Sequence, residues 1–151
     1  MSIQIENRQS AVKIDPRRIR AVLTKLLKRL GRTGSELSIV FVDDAAIREI
    51  NRSYLGRDRA TNVISFPMQE GEHGGVNPRL LGDIVISAQT AEAAAKIGGM
   101  TTDDEIDFLL IHGLLHLVGY NHEGTTDAEE KRMREAEAEL FRILTGYRLA
   151  D

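Results

Sequence analysis

The sequence predicts an α+β fold, with residues 1–151 forming a single domain in which helices pack a mixed sheet of about four strands. Short segments rich in β-branched residues alternate with longer segments in which apolar residues recur every three or four positions. No internal repeat, linker or change of composition divides the 151 residues, a length that suits one domain with its own hydrophobic core. One of the predicted helices carries a His-x3-His pair.

Four segments have the pattern of strands. Ile3 and Ile5 alternate with polar residues, which is typical of a short, half-buried strand. Further strands are predicted at 37–42, 62–66 and 80–87. Pro67 ends the third strand because proline cannot donate a backbone hydrogen bond. The glycine-rich segment 68–79 is predicted to be a loop.

Five helices are predicted between and after these strands. Asp15 caps the first, with Pro16 at its first position, and Gly31 ends it. Asp43 or Asp44 caps the second, which runs to about residue 54. The others are an alanine-rich helix at 91–97, the histidine helix opened by a capping box at 102–105, and a long amphipathic helix opened by a second box at 126–129. The inward face of this last helix consists of Met133, Ala136, Leu140, Phe141 and Leu144.

The composition limits the class of protein and the kind of metal site. The chain contains no cysteine, which excludes disulfides and thiolate metal sites, so any metal must be bound by His, Asp or Glu. The first residues lack the apolar core of a signal peptide, and no segment approaches membrane-spanning length. We therefore expect a soluble, cytoplasmic protein.

Charge is unevenly distributed along the chain, whose net charge is −3. Residues 13–32 carry eight basic side chains against one acid, whereas residues 103–142 carry eleven acids against four bases. Such asymmetry can produce a positive face that attracts phosphates on an otherwise acidic protein. On charge alone, a solvated helix face is the better interpretation of the basic stretch.

Three of the four histidines in the chain lie within eleven residues. His112 and His116 are four apart, so on a helix they project from the same face. Gly119 allows the backbone to leave the helix, after which a short turn can bring His122 beside the pair. Three imidazoles around one point, with a fourth position open, is how a catalytic zinc is bound, although imidazole also suits Ni, Cu and Fe. The alternative is a pair of core histidines, but buried imidazoles need partners and a shared metal satisfies both rings.

The spacing His-x3-His-x2-Gly-x2-His also matches the metzincin proteases, which makes the histidine helix zincin-like. The match fails at Gly113, where those proteases carry the glutamate that acts as general base. A conventional protease is therefore disfavoured, while hydrolysis at a three-histidine metal site stays open.

Three motifs together resemble the YbeY family of bacterial endoribonucleases. They are His-Gly-Leu-Leu-His-Leu-Val-Gly-Tyr-Asn-His at 112–122, Thr-Asn-Val-Ile-Ser-Phe-Pro at 61–67 and Leu-Gly-Asp-Ile-Val-Ile at 81–86. The resemblance implies a single-strand-specific, metal-dependent endoribonuclease that acts in 16S rRNA 3′-end maturation and ribosome quality control. It implies one zinc ion on His112, His116 and His122. The implied partners are single-stranded RNA, ribosomal RNA and the small ribosomal subunit, with no DNA and no membrane.

Two positions depart from the family pattern. Asn121 replaces the usual aspartate; its amide oxygen can accept a hydrogen bond but cannot act as a general base. Leu55 follows Tyr54 where many relatives carry an arginine. Arg57 and Arg59 lie close by, and we predict that they bind neighbouring phosphates and offset charge in the transition state. The alternative is a solvated loop of basic residues.

The sequence leaves open the role of Asp83 and the class of function. Asp83 begins an apolar strand, where it can accept a hydrogen bond from a metal-binding histidine or simply end a turn. Besides a metallo-ribonuclease, the chain could be a ribosome-assembly factor with a structural zinc and little nuclease activity. A third class is a metal-dependent hydrolase of a small substrate or a peptide.

Overall fold

The computed structural model describes residues 3–68, 79–120 and 126–146, which form four strands and five helices. The strands are β1 (Ile3–Asn7), β2 (Glu36–Val42), β3 (Val63–Pro67) and β4 (Leu80–Ser87). The helices are α1 (Pro16–Arg29), α2 (Asp44–Leu55), α3 (Ala88–Gly98), α4 (Thr102–Leu117) and α5 (Asp127–Thr145). The predicted α+β class is confirmed, and within these ranges no helix has the length and apolar character needed to cross a membrane.

The four strands form one mixed sheet in the order β1-β2-β4-β3. β1 and β4 both run parallel to β2, and β3 is antiparallel to β4 at the edge. Ile39 of β2 and Ser65 of β3 are both opposite Ile84 in the register. A parallel connection needs a long crossover, which α1 supplies between β1 and β2, and α2 together with β3 between β2 and β4.

The two faces of the sheet are covered differently. Ile39, Ile84 and their apolar neighbours form the large core with α1, α3, α4 and α5. The opposite face forms a smaller cluster, in which Val42 and Val85 pack against Ile47 of α2. Because α4 contacts the sheet, α3 and α5, it is buried on most sides, as its almost uniformly apolar sequence predicts.

Three of the predicted N-caps are confirmed. The Asp15 side chain accepts a hydrogen bond from Arg17 N at 3.0 Å, and Pro16 stands at the first turn of α1. Asp43 caps α2, and the Thr126 hydroxyl accepts from Glu129 N at 3.2 Å at the start of α5. Each side chain satisfies a backbone N–H that has no partner inside its helix.

Two predicted boundaries were wrong. The cap of α4 is Thr101 rather than Thr102, and its hydroxyl accepts from Asp104 N at 3.0 Å. α3 begins three residues before the predicted start at 91, because Ser87 serves both as the last residue of β4 and as the helix cap. Its hydroxyl accepts from Thr90 N at 3.2 Å, so no loop separates strand from helix.

The basic α1 forms ion pairs with the acidic half of the chain. Arg18 Nη1 lies 2.8 Å from Asp107 Oδ1 on α4, and Arg18 also lies 3.4 Å from Asp103. Arg29 lies 3.4 Å from Glu139 on α5. Burial raises the pKa of Asp107, and the Arg18 guanidinium opposes that rise. Part of the charge asymmetry is therefore neutralised within the fold.

Candidate metal centre

Helix α4 places His112 and His116 side by side. The two residues are one turn apart, and their Nε2 atoms are 3.2 Å from each other. The ring centroids are 4.7 Å apart, and the ring planes are inclined at 75°. The prediction that these two imidazoles share one face of a helix is confirmed.

This pair has the spacing of two ligands on one zinc ion. Zinc–nitrogen bonds of about 2.0–2.1 Å in a tetrahedral site place two ligand nitrogens roughly 3.3 Å apart. Two imidazole nitrogens facing each other at 3.2 Å need a proton or a cation between them, since two lone pairs would repel. Within the described ranges, no group of three His, Cys, Asp or Glu side chains is placed to bind a metal. The third predicted ligand, His122, lies outside those ranges.

The chain leaves α4 where the sequence predicts. Gly119 has a φ of 106°, a conformation that favours glycine, directly after the helix ends. The ring of the next residue, Tyr120, packs under the Arg132 guanidinium of α5, whose carbon lies 5.6 Å from the ring centroid. His122 follows two residues later; its role as a ligand, and that of Asn121 beside it, stay predictions.

Sequence reasoning missed one residue of this site, Glu137 on α5. Its Oε2 lies 2.9 Å from His112 Nδ1, and only 11% of the Glu137 side chain is exposed. An ionised carboxylate only accepts hydrogen bonds, so a neutral His112 that donates to it from Nδ1 has its lone pair on Nε2, the atom that faces His116. Glu137 is four residues after Met133 and three before Leu140, so the signal was a carboxylate within the apolar face of α5.

Gly113 lies at a close approach of α4 to the sheet. A Cβ atom at this position would stand 2.9 Å from Ile84 Cγ2 and 3.2 Å from Ser65 Oγ. The Ser65 hydroxyl donates to the Gly113 carbonyl at 3.3 Å. A glutamate here would have to enter the core, so the general base of a metzincin protease cannot stand at position 113.

The predicted phosphate-binding arginines lie in the segment between α2 and β3. Both Arg57 and Arg59 are exposed, after Gly56 ends α2 with a φ of 68°. The buried Asn51 side chain donates to the Arg59 carbonyl at 2.9 Å and holds this segment against α2. Leu55, the residue before Gly56, is 49% exposed. The segment leads into β3, the strand that contacts α4, and the roles of the two arginines stay predictions.

Asp83 lies on the face of the sheet opposite α4. Its neighbour Ile84 faces Gly113, and successive side chains of a strand point to opposite faces. Asp83 accepts a hydrogen bond from the Ser38 hydroxyl and lines a groove of about 840 Å³ on that opposite face. It therefore does not orient His112 or His116, and it lies within β4 rather than at a turn.

Comparison with known proteins identifies the family and agrees with the fold. The family model described as Endoribonuclease YbeY matches residues 4–145. A protein named Endoribonuclease YbeY from Syntrophus aciditrophicus is 52% identical, covering 99% of this chain and 93% of that protein. One of the same name from Geobacter metallireducens is 49% identical, covering 95% of this chain and 96% of that protein. The solution structure of TM1509 from Thermotoga maritima is 24% identical in sequence. The match covers 95% of this chain and 89% of that chain with a TM-score of 0.66, so the two share the fold.

Proposed function

The chain belongs to the YbeY endoribonuclease family, and from this we propose that it is a zinc-dependent endoribonuclease that cuts single-stranded RNA. Its proposed substrate is ribosomal RNA, at the 3′ end of 16S rRNA. Its proposed setting is ribosome quality control on the small subunit in the cytoplasm. A hydrolase that acts on RNA is the part of this proposal that the names of the relatives support directly.

One observation carries the metal dependence: the paired Nε2 atoms of His112 and His116 at 3.2 Å. Together with His122, these residues would hold the ion. A bound zinc ion supplies Lewis-acid polarisation of a phosphodiester oxygen. Both described histidines lie on a buried helix, so their rings are held in position before the substrate binds. This preorganisation favours a catalytic role for the ion.

The chain's other residues bind and orient the substrate. Arg57 and Arg59, on the exposed segment before β3, would hold phosphates and offset negative charge that grows in the transition state. Because Gly113 is closed against the sheet, a residue that accepts the proton of the attacking group would have to stand at a position other than 113.

Metal analysis and RNA cleavage together test the proposal. We expect purified wild type to contain about one zinc per chain, as a three-histidine site with an open position requires. It should cut a labelled single-stranded RNA while leaving the same sequence as an RNA duplex or as DNA intact. His116→Ala should lose both metal and cleavage while keeping the wild-type circular dichroism spectrum. A wild type that is loaded with zinc but leaves all RNA intact contradicts the nuclease proposal and favours an assembly factor with a structural zinc.

The arginines can be tested against a control arginine on the neighbouring helix α2. Arg57→Ala and Arg59→Ala should each slow cleavage by at least about tenfold, because each removes a positive charge near the reacting phosphate. Arg52→Ala, which removes an exposed arginine paired with Glu49, should leave the rate unchanged. If all three variants cut RNA at the same rate, Arg57 and Arg59 have no part in the mechanism.

The ribosomal setting needs its own measurement. We expect the protein to sediment with small ribosomal subunits, and to shorten a 16S precursor extended at its 3′ end more readily than a mature 3′ end. If the protein cuts other single-stranded RNA with zinc but neither sediments with small subunits nor prefers the 16S precursor, the nuclease proposal stands and the ribosomal role is contradicted.

A further inference from the structure

We infer that Glu137 is a positioning residue of the metal centre: it holds His112 as the Nδ1–H tautomer, with Nε2 directed at the point shared with His116. The inference rests on the proposed zinc site. It identifies a residue that does not bind the ion but orients one of the histidines that would bind it.

The contact between Glu137 and His112 selects one tautomer of the neutral ring. A neutral imidazole donates from one nitrogen and accepts at the other, whereas a carboxylate only accepts. With Glu137 Oε2 at 2.9 Å from Nδ1, the neutral ring that fits this contact carries its proton on Nδ1 and its lone pair on Nε2. That is the tautomer that a metal bound at Nε2 requires, and a hydrogen bond to a carboxylate also makes the imidazole a stronger ligand.

Burial explains why this contact holds the ring firmly. The side chains of His112 and Glu137 are 21% and 11% exposed, so little water competes for either group. A carboxylate in the apolar face of α5, between Met133 and Phe141, destabilises the fold unless it has a partner. Loss of the carboxylate would leave the Nδ1–H group without its acceptor and the ring free to change tautomer.

A purely structural contact that docks α5 onto α4 is the competing interpretation. It predicts that loss of Glu137 lowers stability without changing the metal site. Measurements of zinc affinity and of the His112 tautomer distinguish the two interpretations. While the protein stays folded, a loss of stability alone changes neither quantity.

The experiment compares two substitutions at the site with one nearby. Glu137→Leu fits the apolar face of α5 but removes the acceptor, whereas Glu137→Gln keeps an acceptor oxygen without the charge. Glu139→Gln is the control, since Glu139 lies on the same helix, is 57% exposed and pairs with Arg29. Zinc affinity is measured by competition with a chromophoric chelator, and the tautomer from imidazole ¹⁵N shifts in the metal-free protein.

We expect Glu137→Leu to weaken zinc binding about 10- to 100-fold, the range found when the hydrogen-bond partner of a metal-binding histidine is removed. Glu137→Gln should weaken it less, and Glu139→Gln should leave it unchanged. The Nδ1–H form of His112 should dominate in wild type and give way to a mixture in Glu137→Leu.

A folded Glu137→Leu variant with wild-type zinc affinity and an unchanged tautomer would overturn the inference. If wild type binds no zinc, the proposed function fails, and the ¹⁵N shifts alone decide on Glu137. If zinc-loaded wild type does not cut RNA, the nuclease proposal fails while the effect of Glu137 on zinc affinity stands.

Discussion

The ion pair between Arg18 and Asp107 gives a quantitative test of the charge distribution. Arg18 belongs to the basic stretch that could face RNA, yet in the fold it pairs with a carboxylate on the histidine helix at 2.8 Å. We consider Arg18→Met, which keeps most of the aliphatic stem, beside Asp107→Asn. Lys25→Met is the control, since Lys25 is an exposed residue of the same α1.

The expected cost of Arg18→Met follows from the burial of the two partners. Removing one partner of a fully buried pair costs about 3–5 kcal/mol, because the remaining charge is left unpaired. The Asp107 side chain is 8% exposed but that of Arg18 is 28% exposed, so water weakens the pair and we expect a loss of about 2 kcal/mol. Asp107→Asn should stay within about 1 kcal/mol of wild type, since Asn still accepts from Arg18 and leaves no buried anion. Lys25→Met should stay within about 0.5 kcal/mol.

The pH dependence has a defined sign. Burial raises the folded-state pKa of Asp107 above its ordinary value of 3.8, so the folded state binds this proton more tightly than the unfolded state does. Relative to Asp107→Asn, wild type therefore gains stability as the pH falls through the raised pKa, until it reaches the ordinary value. Without Arg18 the pKa of Asp107 rises further. The stability that Arg18→Met loses relative to wild type should therefore become smaller as the pH falls.

Urea unfolding of the four proteins at several pH values between neutral and mildly acidic measures these differences. The circular dichroism of each folded baseline confirms that the comparison starts from the same structure. The reasoning fails if Asp107→Asn costs as much as Arg18→Met at neutral pH, or if the deficit of Arg18→Met does not change with pH.

Three further predictions concern the packing that supports the site. Gly113→Ala should lower the free energy of unfolding by about 1 kcal/mol, because crowding against Ile84 costs about 1–3 kcal/mol and the higher helix propensity of alanine restores about 1 kcal/mol. Urea unfolding measures the difference. A stabilised variant would show that α4 can shift away from the sheet. Gly82→Ala should cost at least about 2 kcal/mol, since Gly82 has a φ of 138° and its Cβ would stand 2.1 Å from the Phe66 carbonyl oxygen. Hydrogen exchange should then quicken in β3 before any other strand, and uniform loss of protection would argue against this local cause. Thr126→Ala should lower the melting temperature through the loss of the α5 cap, worth about 1 kcal/mol, whereas Thr126→Ser should restore it.

Much of the fold could be predicted because local patterns decide it. The strands at 37–42 and 80–87 and the helix caps at Asp15, Asp43 and Thr126 depend on residues close in sequence, and the structure confirms them. The pairing of His112 with His116 has the same origin, because four residues make one helical turn. The exit from α4 at Gly119 was likewise visible in the sequence.

What could not be predicted depends on contacts between distant segments. The sequence places Glu137 on the apolar face of α5, but its contact with His112 forms only when α5 packs against α4. The pairing of Arg18 with Asp107 spans 89 positions in the sequence. Asp83 was ambiguous because a strand sequence shows that neighbours alternate, but not which face of the sheet receives the histidine helix.

The close approach of α4 to the sheet at Gly113 also constrains how this fold can evolve. A single residue separates the motif of this chain from that of a metzincin protease, so a change of activity looks accessible in one step. The contact with Ile84 closes that route, since a glutamate at position 113 would destabilise the fold before it could act on a peptide. New chemistry at these histidines is therefore more accessible through the segments around the site than through the helix that carries it.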